Sequence, residues 1–107
     1  MQFNVANFTP YTFIMDFDYY DAIDRVIAYI RSGDIEAMQQ CMDVWKMKGD
    51  ELQHQYHHAR DGRSEAAIHV AARQNKHDVL LALLLQRNAN INVMSSVNES
   101  PLYIEIT

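Results

Sequence analysis

The stretch AAIHVAARQNKHDVLLALLLQRNANIN, residues 66–92, decides the fold. It opens with small residues around His69, passes through a polar turn at 74–76 and continues into a leucine-rich segment. Apolar residues occupy most of the circumference of that second segment, and a helix that is apolar all round must be covered by neighbours. The stretch therefore predicts two short helices, about 66–73 and 78–87, that pack against further elements on both sides.

The composition is that of one compact domain with an acidic balance. The chain has 107 residues, 49% of them hydrophobic, and a formal net charge of −5, which suits a single domain and repels nucleic acid and anionic membranes. Its longest apolar run, 79–85, is far shorter than the ~20 residues of a membrane span. Because Cys41 is the only cysteine and the start carries no basic signal segment, we expect a cytoplasmic protein, of the producing cell or of a host cell that receives it.

Helix punctuation upstream repeats the two-helix pattern. Asp21 or Asp24 can cap a first helix, and the Ser-Gly-Asp turn at 32–34 both ends that helix and caps the next one. The next helix is predicted to begin at Ile35 and to end at Gly49. Two helix pairs of similar size indicate a repeat.

The second pair resembles a unit of the ankyrin repeat family, which is about 33 residues long and carries a T-P-L-H-x-A signature. Residues 67–72, AIHVAA, are similar to its P-L-H-x-A-A segment. Residues 83–85 and 88–92, LLL and NANIN, are similar to its L-L-L and G-A-D-V-N ending.

Weaker similarity to the same family continues on both sides of that unit. Residues 100–103, SPLY, look like the start of another unit, and His69 and Tyr103 are 34 positions apart (103 minus 69). Residues 30–38 are similar to a divergent first repeat. The resemblance covers about residues 21–107 and is most specific in the middle.

The resemblance implies an all-α fold, an ankyrin-type solenoid of stacked helix-turn-helix pairs that forms a single domain over residues 1–107. In that register, His69 bonds the backbone of neighbouring turns instead of carrying out chemistry. The core is expected to bury Ile35, Ala71, Ala72, Leu80, Leu83 and Leu84. The implied segments are an N-terminal capping segment 1–20, a first repeat 21–52, an extended turn 53–65, a second repeat 66–98 and a partial third repeat 99–107.

The two ends depart from the family pattern. The first 20 residues carry seven aromatic side chains, which predicts a cap folded across the first repeat, with a partner-binding arm as the alternative. At the other end, Leu102, Ile104 and Ile106 alternate with more polar residues, and this period of two favours a strand over the helix that the family would have. The incomplete third unit leaves two alternatives open, a fragment of a longer repeat protein or a homodimer formed through this unit.

The extended turn is the predicted contact site for another protein. It is about five residues longer than the family's usual turn, and loops on a rigid scaffold often carry function. Tyr56 has the large, rigid face that is typical of interface hot spots, while a spacer loop with no partner is the alternative. Together with two residues of the concave first-helix face, the predicted partner-binding residues are Gln53, His54, Gln55, Tyr56, His57, His58, Arg73 and Gln74.

Three groups of residues could carry other chemistry. His54, His57 and His58 have a spacing that suits zinc or nickel, which makes a metal-responsive binding protein the alternative function. The four aspartates between residues 16 and 24 lack the glycine and glutamate of a calcium loop, and a lone cysteine on a helix is usually buried. We therefore predict a non-catalytic protein-protein interaction module, a regulator or inhibitor of another protein that needs no cofactor.

Overall fold

The computed structural model describes residues 8–54, 64–74 and 77–106, with side chains from residue 18 onward within those ranges except at 77, 105 and 106. These residues form an all-α fold, as the sequence predicts, and contain no strand beyond an isolated antiparallel bridge between Leu52 and Ala66. No helix among them has both the length and the apolar character that crossing a membrane requires. The helices are α1 (Phe8–Ser32), α2 (Ile35–Trp45), α3 (Ala67–Ala72), α4 (His77–Gln86) and α5 (Pro101–Ile106).

Helix α1 begins much earlier than the sequence predicted. It starts at Phe8, so the prediction that Asp21 or Asp24 caps its start was wrong. Pro10 lies in its first turn, where the missing backbone N–H costs no helical hydrogen bond. Over residues 8–20, the predicted capping segment is therefore the N-terminal half of α1, while residues 1–7 lie outside the described part of the chain.

The turn between α1 and α2 has the predicted helix-ending glycine and N-cap aspartate. Gly33 takes a φ of +80°, which favours glycine, and ends the first helix. Asp34 is the N-cap of α2, because its Oδ1 accepts a hydrogen bond of 3.1 Å from the backbone N–H of Ala37. These two residues set the antiparallel pairing of α1 with α2.

Helix α2 ends at Trp45, four residues before the predicted end at Gly49. Lys46 adopts the left-handed conformation there, and its N–H bonds the carbonyls of Met42 and Asp43. Gly49 has another reason to be glycine: its φ is +111°, and a Cβ atom would lie 2.7 Å from Leu84 Cδ2.

Helices α1, α3 and α5 contact one another in that order, and α2 and α4 back α1 and α3. Helix α1 packs on α2 and α3 packs on α4, while α3 also contacts α1 on one side and α5 on the other. Every residue of α3 is buried, and its small side chains allow this close approach on several sides.

The predicted core residues lie in the interior or at its edge. Burial is confirmed for Ala71, Ala72, Leu80 and Leu84, which are at most 6% exposed. The prediction was wrong in degree for Ile35 and Leu83, which are half-buried and pack against the core from its margin.

The strand predicted at the C-terminal end is a helix. Pro101 opens α5 at a position where its fixed φ suits a helix. The Ser100 hydroxyl accepts a hydrogen bond of 3.2 Å from the Tyr103 N–H, as an N-cap does. These start signals and the packing of α5 on α3 outweigh an alternating pattern of only six residues.

Candidate functional site

The base of the extended turn is fixed to α1 by the side chain of Gln53. Its Nε2 donates a 2.6 Å hydrogen bond to Asp24 Oδ1, and its backbone N–H donates one of 2.9 Å to the Glu65 carbonyl. Leu52 and Ala66 form the antiparallel bridge beside these bonds. We call residues 52–66 the first loop, of which 52–54 and 64–66 are described.

A second loop, residues 93–100, lies beside the first. It is closed on itself, since the Ser95 N–H bonds the Glu99 carbonyl at 2.9 Å and the Ser95 hydroxyl accepts from the Glu99 N–H at 3.2 Å. Ser96 and Ser64 join the loops: the Ser96 N–H donates to the Ser64 carbonyl at 3.0 Å, and the Ser64 N–H donates to Ser96 Oγ at 2.8 Å. The two loops therefore form one hydrogen-bonded surface.

The buried side chain of His69, in α3, forms hydrogen bonds with the backbone of both loops. Its Nδ1 accepts a 3.0 Å hydrogen bond from the Ala66 N–H, and its Nε2 lies 3.0 Å from the carbonyl oxygens of both Val93 and Glu99. One partner is a donor and the others are acceptors, so only the neutral ring with its proton on Nε2 satisfies them all. Burial lowers the pKa of His69 below its usual value. The backbone hydrogen bonds that were expected of His69 are present.

A cleft of about 360 Å³ opens between α1 and the two loops. Two apolar side chains on its walls are partly exposed, Leu52 by 37% and Met94 by 48%. The His54 ring packs edge-on against Tyr20, with centroids 4.8 Å apart. The walls are therefore mixed, with exposed apolar side chains beside amide, imidazole and hydroxyl groups. We call this the two-loop cleft, and its lining residues are Tyr20, Leu52, Gln53, His54, Ser64, Met94, Ser95 and Ser96.

One polar atom of the cleft wall has no partner. Ser64 is 4% exposed. Its Oγ is buried and has no hydrogen-bond partner among the described residues. Its backbone N–H and carbonyl are both used by Ser96. An unpaired buried hydroxyl costs about 1 to 3 kcal/mol, so Ser64 is a local cost in stability beside the cleft.

Two acidic residues near the start of the first loop, Asp50 and Glu51, act on Tyr19 of α1. Burial, followed by the negative charges of Glu51 and Asp50, raises the pKa of Tyr19 to about 12. The Tyr19 ring packs edge-on against Trp45 with centroids 6.1 Å apart. Tyr19 is thus a neutral side chain that packs α1 against α2.

A network of ion pairs connects the first loop to α1, to the end of α3 and to the second loop. Glu65 is buried, at 4% exposure, and forms an ion pair with Arg73 and a longer one of 3.8 Å with Arg31. Arg73 also donates a 2.9 Å hydrogen bond to Glu99. A buried carboxylate needs such compensation, so Arg73 connects α3 to the second loop.

The structure separates the predicted partner-binding residues. Gln53 lines the two-loop cleft, is 6% exposed and holds the loop base. His54 lines the two-loop cleft, Arg73 is held by its ion pairs, and Gln74 lines a different groove with Val79 and Leu80. The remaining predicted contacts lie outside the described residues: Gln55, Tyr56, His57 and His58.

The metal-binding and cysteine hypotheses concern His54 and Cys41 among the described residues. His54 is the described member of the histidine group, and within the described ranges no three His, Cys, Asp or Glu side chains are grouped so that they could hold a metal ion. Cys41 is half-buried, and its thiol lies 3.9 Å from the carbonyl oxygen of Ala22, at the packed face of α2. Comparison with protein-family models, curated proteins and solved structures found no match for this chain.

Sequence reasoning missed Tyr20 and Met94 as members of the site. Tyr20 was taken with the aromatic capping segment, although it lies four residues before Asp24 and so shares a helix face with the residue that anchors Gln53. Met94 lies two residues beyond the NANIN ending, where the repeat register places a projecting loop. The repeat register could therefore have indicated Met94 from the sequence.

Proposed function

We propose that the chain is a non-catalytic protein-interaction module of ankyrin type, which regulates or inhibits another protein in a reducing compartment such as the cytoplasm. It binds that protein through the extended turn, the two-loop cleft and the adjoining concave face. The observation that carries this proposal is the exposure of Leu52 and Met94 in a cleft whose framework is fixed by buried hydrogen bonds.

The arrangement of the helices supports the ankyrin type. First helices α1, α3 and α5 follow one another in a row, and α2 and α4 back the first two. A connecting segment precedes both α3 and α5, and in repeat proteins the connections beside a row of first helices form an extended concave binding surface.

Rigidity of the cleft supports recognition. Gln53, His69 and Ser96 link the described parts of the two loops to α1, to α3 and to each other, so a partner would find these parts of the surface preformed and lose little affinity to ordering them. The same three side chains have their hydrogen-bonding atoms engaged by protein groups, which favours a structural and binding role over catalysis.

A charge placed in the cleft tests the proposal. Met94→Glu should weaken binding of the physiological partner at least tenfold, worth about 1.4 kcal/mol, because it puts a charge against apolar contact surface. Val44→Glu is the matched control, since Val44 is an exposed apolar residue (75%) on the distant helix α2. The partner is captured on the unmodified chain from a lysate of the source cells, identified, and titrated against both variants.

The comparison between the variants decides the outcome. A partner that binds the unmodified chain and Val44→Glu equally, but Met94→Glu more weakly, supports the two-loop cleft. Equal binding of all three chains would contradict the proposal.

A further inference from the structure

The contact between the first loop and α3 depends on the protonation state of one side chain. The ring of His69 is completely buried, and its Nδ1 accepts the 3.0 Å hydrogen bond from the Ala66 N–H. A second proton on the ring would occupy Nδ1 and turn this acceptor into a donor. Two N–H groups would then face each other, so protonation of His69 breaks the contact with Ala66.

The contacts of the same ring with the second loop respond in the opposite way. Nε2 of His69 donates to the carbonyl oxygens of Val93 and Glu99, both at 3.0 Å. It remains a donor in the protonated ring, and a hydrogen bond from a charged donor is stronger than one from a neutral donor. Protonation therefore weakens the attachment of the first loop and keeps that of the second.

The charges around the ring are balanced while the ring is neutral. Glu65, on the first loop, pairs with Arg73 at the end of α3 and with Arg31 on α1. Arg73 also pairs with Glu99 of the second loop. Two arginines thus face two carboxylates, and a proton on His69 adds a positive charge where burial disfavours it.

The other elements around α3 also carry titratable groups. Burial is the main cause of the lowered pKa of His69; the backbone bonds and Glu65 oppose this shift, and Arg73 adds to it. The net direction is downward, so the ring is neutral at neutral pH and accepts a proton in acid. Further titratable side chains on the elements that pack around α3 include Asp24, Tyr29, Arg31, His54, Asp78 and Tyr103.

The end of the first loop is held by few other hydrogen bonds. The Glu65 carbonyl accepts from the Gln53 N–H at 2.9 Å, and Ser64 exchanges two backbone contacts with Ser96. By contrast, α1 and α2 pack through fully buried apolar side chains such as Met38. Segments with few buried apolar contacts open at a lower free energy than the core, so residues 64–66 should move before the helices separate.

We propose that His69 is an acid-sensitive switch: its protonation detaches residues 64–66 from α3 and opens the first loop, while the second loop stays bound through Val93 and Glu99. Ser64 and Gln53 line the two-loop cleft, so the cleft changes shape in acid. Release of a bound partner in acid would follow, and that consequence alone rests on the proposed function.

Amide hydrogen exchange of the unmodified chain, followed by NMR from about pH 7.5 to about pH 5, tests the switch without a partner. Protection factors remove the intrinsic effect of pH on exchange. Those of the Ala66 and Gln53 amides should fall at least about tenfold, because the opened loop lets His69 take up a proton. The amides of Ser95, bonded within the second loop, and of Met38 in α2 should keep their protection. The midpoint should coincide with the titration of the His69 ring nitrogens in the same sample.

Two variants assign the effect to one histidine. His69→Gln cannot take up the proton and should remove the pH dependence at Ala66. His54→Gln, at the histidine that lines the cleft, should leave it in place. Should His69→Gln fail to fold, the ring and amide titrations of the unmodified chain decide the question by themselves.

Three results would overturn the inference. Equal losses of protection at Met38 and Ala66 would show that the whole chain unfolds in acid and that no local switch exists. Full protection of Ala66 throughout the acid range would show that the first loop stays closed. A pH dependence that disappears in His54→Gln would assign the effect to the wrong histidine. Each of these results leaves the binding role of the cleft at neutral pH untouched.

Discussion

Helix α3 and the two-loop cleft differ in how completely their buried polar groups are paired. The buried polar groups of His69, in α3, and of Glu65, just before α3, have specific partners. In the cleft, the buried hydroxyl of Ser64 is unmatched among the described residues, and Met94 remains half-exposed. Fully matched buried groups specify a unique packing, whereas exposed apolar surface beside polar groups is typical of a contact site. Under the proposed function, stability and recognition would depend on adjacent but distinct sets of residues.

The largest expected effect lies in the core around α3. Leu84 is fully buried and contacts the region of Gly49, so Leu84→Ala should lower the free energy of unfolding by about 2 to 5 kcal/mol. A domain of this size is stable by only about 5 to 15 kcal/mol. The half-exposed neighbour Leu85 provides the control, and Leu85→Ala should cost much less in a denaturant titration. Equal losses for the two variants would break the distinction between core and surface on α4.

The next effect concerns the buried carboxylate. Arg73→Met removes the ion pair with Glu65, and among the described residues the 3.8 Å ion pair with Arg31 then remains for this carboxylate, which should cost roughly 1 to 3 kcal/mol. Glu65→Gln combined with Arg73→Met should recover part of that loss, because the uncompensated charge is gone. Additive losses in this double-mutant cycle, measured by chemical denaturation, would show that the two side chains do not interact.

A smaller effect, which depends on pH, is expected from His69. Its pKa is lowered in the folded state, so the folded chain resists a proton that the unfolded chain accepts. The contribution of the neutral ring is complete above the unfolded pKa of about 6.5 and is lost as pH falls below it toward the folded pKa. His69→Gln should therefore flatten the fall in unfolding free energy on acidification. Stability that rises as the unmodified chain is acidified through this range would contradict the neutral, Nε2-protonated ring.

Local signals predicted the helix pairs, whereas residues distant in the chain create the site. The Ser-Gly-Asp turn at 32–34 and the AIHVAA segment at 67–72 carry their own caps and small residues, so their structure follows from nearby sequence. The start of α1 could not be placed, since an aspartate such as Asp21 suits an exposed helix position as well as a cap. The cleft joins Tyr20 to Met94, and only the packing of α1 against the loops brings residues so far apart in sequence together.

The smallest change in stability, and the largest change in binding, is expected in the two-loop cleft, where the central claim is tested most directly. Leu52→Ala together with Met94→Ala truncates two partly exposed side chains, and surface changes of this kind usually alter stability by less than about 0.5 kcal/mol each. Calorimetric titration of the identified partner, with a thermal melt of the same sample, should show at least about tenfold weaker binding and a nearly unchanged melting temperature. Unchanged affinity, or a loss of affinity that only follows a large fall in melting temperature, would contradict the assignment of recognition to this cleft.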